Sequence, residues 1–234
     1  MLVHVSRVTR DLAAVTSNGG RLPVQRVHST RLADIHSSSS RARVLIVHSN
    51  GTHLNQLAHA VHSGALEVVQ DSSLVRIRTV SDASFADDVL WADAVVIGSH
   101  VINANVEPQV SLFLSSWDFS ADLSHKVGAV FVTGGGISAG EELTMVNLLH
   151  SMMIFRMIIV GGERWTSAFG ASGIVGEGPF QAPSPRSQQL DFPTDCYPNN
   201  PDMLHDMFTA KGISLGRRVA SVASALAQSA QIIE

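Results

Sequence analysis

Short apolar runs and amphipathic stretches alternate along the chain from residue 43 onward. Arg43 to His48 contains four consecutive aliphatic residues and is closed by the turn residues Ser49-Asn50-Gly51, a pattern typical of a strand buried on both faces of a parallel sheet. Leucine, alanine and valine then recur at helical spacing from Leu54 to Ala65. This first unit is therefore predicted to be a strand, a tight polar loop and a helix.

The same alternation repeats toward the C-terminus. Strands alternating with helices at this interval predict right-handed β-α-β units and a doubly wound parallel sheet of the α/β class. The further predicted strands are Leu74 to Val80, Ala94 to Ser99, Val127 to Thr133 and Met157 to Val160, and the further predicted helices are Val106 to Trp117, Glu141 to Met153 and Met207 to Ala230. The last helix is expected to break or restart near Gly212 or Gly216.

Composition limits the classes of function. A chain of 234 residues with 45% hydrophobic and 15% charged residues can bury one large core. Its net charge of −4 argues against a nucleic-acid-binding surface, and no apolar run reaches the ~20 residues needed to span a bilayer. The single cysteine, Cys196, excludes a disulfide framework within one chain, and no metal site is predicted. We expect a cytoplasmic protein with a small molecule or a protein as its partner.

The N-terminal segment differs from the rest of the chain. The first 43 residues hold seven arginines and only two acidic residues, Asp11 and Asp34. This bias is typical of an organellar presequence, which would make the protein mitochondrial, but an ordinary variable extension has the same composition. We therefore predict an extension over residues 1–42 and one domain over residues 43–234, with a loop-rich insertion at about 162–203 that forms a functional loop or cover.

Three small, polar loops follow the first, third and fourth predicted strands, at the carboxyl edge where parallel sheets bind ligands. They are Ser49 to His53, Ser99 to Asn105 and Thr133 to Gly140. The first is the most informative, because Ser49, Asn50, Thr52 and the backbone N–H groups around Gly51 stand where a helix begins. Such a loop suits a phosphate dianion. Since the loop holds no Lys or Arg, it favours a monophosphate over a triphosphate with magnesium. A plain strand-to-helix turn with a Ser or Asn cap is the alternative.

These loops and their spacing resemble the flavodoxin-like superfamily, and within it the tryptophan-repressor-binding-protein type of NAD(P)H:quinone oxidoreductase. Ser49 to Leu54 is similar to the family's Ser-x-x-Gly-His-Ile phosphate loop, and Gly134 to Gly140 followed by Glu141 is similar to its flavin loop. Other residues in register with the family are Gly98, Ser99, Asn105, Gln109, Phe113, Leu114 and the segment Ala168 to Gly173. Two departures lie in the site: His100 to Ala104 replaces Pro-Thr-Arg-Phe-Gly, and Thr52 replaces a glycine.

The resemblance implies a five-stranded parallel sheet of order 2-1-3-4-5 with helices on both faces, FMN as cofactor, and NAD(P)H as co-substrate. It also implies a quinone or another small electron acceptor, and a homodimer or homotetramer. No protein residue is implied to be catalytic, since FMN carries the chemistry. The implied FMN-binding residues are Ser49, Asn50, Gly51, Thr52, His53, Leu54, Val101, Ile102, Asn103, Thr133, Gly134, Gly135 and Gly136. Trp165 or Phe169 would cover the flavin ring, and His150 would approach it across a subunit boundary. Core or interface packing is the alternative for the two aromatic residues, and a plain helix-surface histidine is the alternative for His150.

Two other functions remain open at this stage. The altered loop at 100–104 allows a non-catalytic FMN-binding or scaffold protein. Gly136-Ile137-Ser138-Ala139-Gly140 also matches Gly-x-Ser-x-Gly after a strand, as in serine hydrolases, with His205 and either Asp195 or Asp202 in the required order. Against the hydrolase, Gly134 and Gly135 lengthen the turn, whereas a nucleophile elbow holds its serine sharply at the strand end.

Overall fold

The computed structural model describes residues 41–136, 138–175 and 203–233. Within these ranges the strands and helices follow one another along the chain. They are β1 (Val44–His48), α1 (Thr52–Val69), β2 (Val75–Thr79), β3 (Ala94–Ile102), β4 (Asn105–Val106), α2 (Pro108–Ser115), β5 (Val127–Gly134), α3 (Glu141–Ile154), β6 (Ile158–Ile159), β7 (Ala171–Ile174) and α4 (Asp206–Ile233). A single π-helical turn, Phe85–Val89, connects β2 to β3.

The sheet has the strand order β2-β1-β3-β5-β6, and every pair in that path is parallel. Strand β4 has two residues and pairs antiparallel with the end of β3, so the two strands form a β-hairpin. Because β4 lies outside this path, β5 and β6 are the fourth and fifth strands of the parallel path in chain order. The path therefore has the predicted order 2-1-3-4-5, and the flavodoxin-like fold is confirmed. The fifth position is shared, because β6 pairs with Val127 and Gly128 at the start of β5 while β7 pairs with residues 131–134 at its end.

Alternate residues of the central strands face two separate cores. Val44 and Ile46 of β1 belong to one core, which α1 and α4 cover. Leu45 and Val47 belong to the other, which α2 and α3 cover. All four side chains are fully buried, as expected for a strand covered on both faces. The continuous aliphatic pattern of the sequence therefore predicted the layers correctly.

Helix α4 is continuous through both of its glycines, so the predicted break near Gly212 or Gly216 is wrong. The glycines serve close packing against α1 instead. A Cβ at Gly216 would lie 1.9 Å from the carbonyl oxygen of Val61, and a Cβ at Gly64 would lie 2.0 Å from that of Ile213. The two helix backbones can approach this closely only where there is no side chain.

Three other sequence predictions need correction. The third strand was expected to end at Ser99 but extends to Ile102, because it turns back as the β3–β4 hairpin. The region after Gly161 was expected to be all loop, yet Ala171–Ile174 forms β7 beside the C-terminal end of β5. The strand predicted at Met157 to Val160 is reduced to Ile158–Ile159.

The N-terminal extension, apart from its last two residues, and most of the predicted insertion, including Cys196, lie outside the described residues. Across the ranges that the structure describes, no helix is both long enough and apolar enough to cross a membrane.

Candidate functional site

The three predicted loops meet at the carboxyl edge of the sheet. His48 at the end of β1 is in register with Gly98 of β3, and His100 of β3 is in register with Thr133 of β5. The N–H of Ser49 donates to the carbonyl oxygen of Gly98 at 3.3 Å. The backbone ladder therefore brings the segments after β1, β3 and β5 side by side, where a parallel sheet binds its ligands.

The first loop leaves the start of α1 available to a ligand. Gly51 precedes the helix with φ 157° and ψ 144°, and it supplies no side-chain cap. The first turn of α1 contains no acidic residue, so no carboxylate of that turn compensates the positive end of the helix dipole. Ser49 is buried, whereas Asn50 and Thr52 are exposed. Leu54 packs its side chain in the core, so only its backbone can contribute to binding, and His53 is half-buried.

His48 supports this loop from below. Its side chain is buried, and its Nδ1–H donates to the carbonyl oxygen of Ser49 at 2.8 Å. Burial lowers the pKa of His48; repulsion from His59 and His100 adds to this, although the Ser49 carbonyl opposes it. The side chain is therefore neutral at neutral pH.

Mild acid is expected to destabilise the protein through His48. Because its folded pKa lies below the ordinary value near 6.5, the unfolded chain takes up the proton first, so the stabilisation is complete above about pH 7 and declines as the pH falls through about 6.5. Burial and His59 lower the pKa of His62 as well, which acts in the same direction. Urea unfolding at about pH 7.5 and about pH 5.5 measures the decline, and carboxylates, which titrate near pH 4, contribute little in that window.

The His48→Gln variant should flatten this pH dependence whatever its stability at neutral pH, since an amide does not titrate. His125→Ala, at an exposed position before β5, should keep the wild-type slope. An unchanged slope in His48→Gln would contradict the assignment.

The second loop is a β-hairpin whose two turn residues, Asn103 and Ala104, have φ values of 50° and 58°. Asn105 Nδ2 donates to the carbonyl oxygen of Asn103 at 3.0 Å across this turn. Val101 is half-buried, whereas Ile102 and Asn103 are exposed at the hairpin tip. The three residues predicted to line a flavin ring therefore lie together, on a strand end and turn rather than on an irregular loop.

Buried polar side chains surround the start of the third loop, which follows β5. Thr133 is 2% exposed, and its Oγ1 has no hydrogen-bond partner among the described residues; the same is true of Thr144 Oγ1 and Glu141 Oε1. A Cβ at Gly134 would lie 2.6 Å from Glu141 Oε1, so the carboxylate occupies the space beside that glycine. Glu141 Oε2 accepts a hydrogen bond from Ala139 N–H at 3.1 Å. The loop thus offers unused polar groups, two of them hydroxyl donors, at its base.

The second and third loops touch. Gly140 has φ 106°, and a Cβ there would lie 2.4 Å from Ala104 Cβ. Gly135 is half-buried and Gly136 is buried, so the glycine-rich segment lies under the hairpin rather than extending freely into solvent.

Sequence reasoning did not assign a role to His100 and Glu107, which lie beside the first loop. His100 Nδ1 is 3.0 Å from Glu107 Oε2 and 3.3 Å from Ser49 Oγ. A Cβ at Gly51 would lie 2.4 Å from His100 Nε2, so the imidazole ring covers that glycine. The departure from the family pattern at position 100 was the only signal in the sequence.

The residues predicted to cover a flavin are exposed. Trp165 is 87% exposed in a short helical turn, and Phe169 is 47% exposed just before β7. Neither side chain is buried in the core, so packing at an interface is the part of the alternative that remains. His150 is exposed on α3, so it remains accessible to another molecule.

The hydrolase constellation is not assembled in the described residues. Ser138 is exposed and has φ 59°. His205 Nδ1 accepts a hydrogen bond from Met207 N–H at 3.1 Å, and no hydrogen bond joins His205 to Ser138 in the described part of the chain. Asp195 and Asp202 lie outside the described residues. The described ranges also contain no cluster of three or more His, Cys, Asp or Glu side chains able to hold a metal ion.

A cavity of about 930 Å³ lies beside the third loop, between the start of α3, the segment at 163–167 and α4. Lys211 lines it, and burial lowers the pKa of its ammonium group. Arg217, also in the lining, is paired with Glu67 and Glu163 at 3.0 Å each. The lining therefore carries three basic side chains balanced by three carboxylates, which are Glu141, Glu142 and Glu163, next to the predicted flavin loop.

Known proteins are similar to this chain in sequence. Residues 75–171 match the family model for NADPH-dependent FMN reductase. A flavodoxin from Aquifex aeolicus is 26% identical over 155 residues, which covers 63% of this chain and 78% of the relative. An NAD(P)H dehydrogenase (quinone) from Azorhizobium caulinodans is 25% identical over 163 residues, which covers 60% of this chain and 81% of the relative.

Solved structures show the same fold. A flavodoxin, WrbA-like protein from Agrobacterium tumefaciens superposes with a TM-score of 0.55 at 15% identity, covering 78% of this chain and 97% of that one. A flavodoxin from the domain Archaea superposes with a TM-score of 0.53 at 14% identity, covering 77% and 97% respectively. The chain has the flavodoxin-like fold, and its resemblance to the tryptophan-repressor-binding-protein type of NAD(P)H:quinone oxidoreductase is confirmed.

Proposed function

We propose that this protein binds FMN at the carboxyl edge of its sheet and moves two electrons from NAD(P)H through FMN to a quinone. The observation that carries the proposal is the start of α1. Its first turn has no side-chain cap and no acidic residue, and the buried Ser49 hydroxyl and the exposed Thr52 lie next to it. A helix end of this kind binds phosphate.

The donors of the first loop suit a phosphate monoester. The Ser49 and Thr52 hydroxyls, the Asn50 amide and the backbone N–H groups from Gly51 to Leu54 are all neutral. A site of neutral donors can hold one phosphate without a magnesium ion. His53 adds a half-buried imidazole at the second position of α1. The residues present therefore fit the phosphate end of FMN.

The other two loops suit the two sides of a flavin ring. Val101 and Ile102 offer apolar surface, and Asn103 offers a polar group at the hairpin tip. The Thr133 hydroxyl and the backbone of Gly134 to Gly136 would contact the polar edge of the ring. Thr133 Oγ1 has no hydrogen-bond partner among the described residues. An acceptor on the ligand would satisfy that buried hydroxyl, which otherwise costs free energy.

FMN, when bound, supplies hydride acceptance and two-electron transfer, so the protein needs no nucleophile of its own. The task of this chain is to anchor the phosphate, fix the ring against the second and third loops, and restrict water. Exposed Trp165 and Phe169 are available to cover the ring or to meet a second subunit. A homodimer or homotetramer is part of the proposal.

A visible spectrum tests the proposal directly. Full-length protein mixed with FMN and freed of excess ligand should show flavin bands near about 370 and 450 nm. Addition of NADH or NADPH should bleach them under anaerobic conditions, and a quinone should restore them. Protein that stays colourless after incubation with excess FMN would refute FMN binding.

A second candidate is a non-catalytic FMN-binding protein, and the segment His100 to Ala104 favours it, because an arginine and an aromatic residue of the family pattern are missing there. The same experiment separates the two. A yellow protein that NAD(P)H does not bleach, or whose bleached form a quinone does not reoxidise, would support the binder and contradict the reductase. Unchanged ester hydrolysis in Ser138→Ala would remove the hydrolase alternative.

A further inference from the structure

We propose that His100, held by Glu107, is the cationic phosphate-binding residue of this site, in place of the lysine or arginine that the first loop lacks. This inference rests on the proposed function, since it assigns a residue to the phosphate of FMN. It concerns a position where the chain departs from the family it resembles.

The position of the ring carries the inference. His100 is on β3, and its ring crosses to the first loop, where its Nδ1 lies 3.3 Å from Ser49 Oγ. A Cβ on Gly51 would be 2.4 Å from Nε2 and 2.5 Å from Cε1. The Nε2 edge of the ring therefore lies against the residue that immediately precedes α1, next to the uncapped N–H groups.

Glu107 fixes the ring in this position. Its Oε2 is 3.0 Å from His100 Nδ1, and the two side chains are 19% and 21% exposed, so the pair is largely shielded from solvent. Glu107 is itself placed by its backbone N–H, which donates to Ser99 Oγ at 3.0 Å. The ring is thus held from β3 and from the start of α2 before any ligand arrives.

The chemistry of imidazole makes this arrangement selective for an anion. With Nδ1–H donating to Glu107, only the imidazolium form carries a second N–H at Nε2. A carboxylate on one nitrogen and a phosphate on the other both stabilise that form through charge-assisted hydrogen bonds. His100 can therefore supply a positive charge when phosphate is bound, whereas a neutral ligand would not draw on it.

The other imidazole assigned to the phosphate is His53, which is half-buried at the second position of α1. The first loop contains no Lys or Arg. His48, which lies next to it, is buried, and burial lowers its pKa. Its Nδ1–H is already used by the Ser49 carbonyl. Glu107 and the Ser49 hydroxyl are the hydrogen-bonding partners that face His100 in the described residues.

The test compares two ligands that differ only in the phosphate. FMN and riboflavin are titrated into wild-type protein, His100→Ala and Glu107→Gln, with dissociation constants read from quenching of flavin fluorescence. We expect His100→Ala to weaken FMN binding by at least about tenfold, the value of a charge-assisted hydrogen bond, and to leave riboflavin binding within about twofold of wild type. Glu107→Gln should weaken FMN binding in the same direction but less. Inorganic phosphate should compete with FMN more weakly in His100→Ala than in wild type.

Two further variants keep the test decisive. His125→Ala removes an exposed histidine at the opposite edge of the sheet and should bind both ligands as wild type does. If His100→Ala fails to fold, His100→Asn keeps a polar group beside Glu107 without a cationic form and should show the same FMN-selective loss.

Three outcomes would overturn the inference. Tighter FMN binding in His100→Ala would mean that the ring blocks the phosphate site. Equal losses for FMN and riboflavin would mean that the residue only supports the fold of the loops. Unchanged binding of both would leave His100 without a role in the site. A wild-type protein that binds neither ligand would refute the proposed function itself, and the inference with it.

Discussion

The Gly216→Ala variant is expected to be less stable than wild type by more than about 2 kcal/mol, the cost of overpacking a close contact. The added Cβ would lie 1.9 Å from the Val61 carbonyl oxygen and 2.8 Å from Ala65 N. Both are backbone atoms of α1 and cannot rotate away. Helix propensity alone would make the variant more stable than wild type, because alanine in a helix interior is more favourable than glycine by about 1 kcal/mol. Urea unfolding followed by circular dichroism measures the change, and Gly216→Val should leave little folded protein.

Two controls separate packing from propensity. Gly212→Ala should cost less, because its Cβ would meet Ala60 Cβ and Leu57 Cδ1 at 2.9 Å, well beyond the 1.9 Å contact at Gly216, and the Leu57 side chain can rotate. Ser221→Ala lies on the exposed side of α4 and should be neutral or stabilising. A Gly216→Ala protein as stable as wild type would contradict the helix contact described above.

Gly51→Val is expected to abolish FMN binding while the protein remains folded. At φ 157° and ψ 144° the backbone is in a region that only glycine occupies at low cost, and the new side chain would collide with the His100 ring, whose Nε2 is 2.4 Å from the Cβ position. The loop must then change shape and lose several phosphate contacts. Since each charge-assisted hydrogen bond contributes about 1.5–3 kcal/mol, affinity should fall by at least about a hundredfold.

Fluorescence titration with FMN measures this loss, and thermal unfolding of the ligand-free protein checks the fold. Ser63→Val places the same side chain on the exposed face of α1 and should bind FMN as wild type does. If Gly51→Val binds FMN with wild-type affinity, the phosphate does not lie in the first loop, and both the proposed site and the role of His100 fail.

The sequence predicted the layers of this protein well, because burial on both faces leaves a direct pattern. The aliphatic run of β1 and the helical spacing of α1 depend on local periodicity alone. Gly212 and Gly216 were misinterpreted, since a glycine that breaks a helix and one that admits a neighbouring helix have the same local sequence. The distinction depends on Leu57, Ala60 and Val61 of α1, which a local pattern does not connect to these two glycines.

The candidate site was predictable in its location but not in its electrostatics. The polar loops follow apolar strands, and parallel pairing brings their ends together. His100 could not be assigned in this way. Its placement over Gly51 depends on the extension of β3 beyond Ser99 and on Glu107 at the start of α2, and neither the strand end nor the Glu107 contact has a sequence signal. The partnerless Thr133 hydroxyl likewise emerges only from burial in three dimensions.

The shared fifth position of the sheet also affects how the protein behaves at high concentration. An uninterrupted outer strand would offer a row of free backbone groups on which another chain could add. Here that side of β5 is covered by two short strands, β6 and β7, which pair with opposite ends of β5 and leave no long straight edge among the residues that the structure describes. The other margin, β2, carries Arg76 and Arg78, and charges on an outer strand oppose such addition. Both margins of the sheet are thus built against intermolecular strand addition and aggregation.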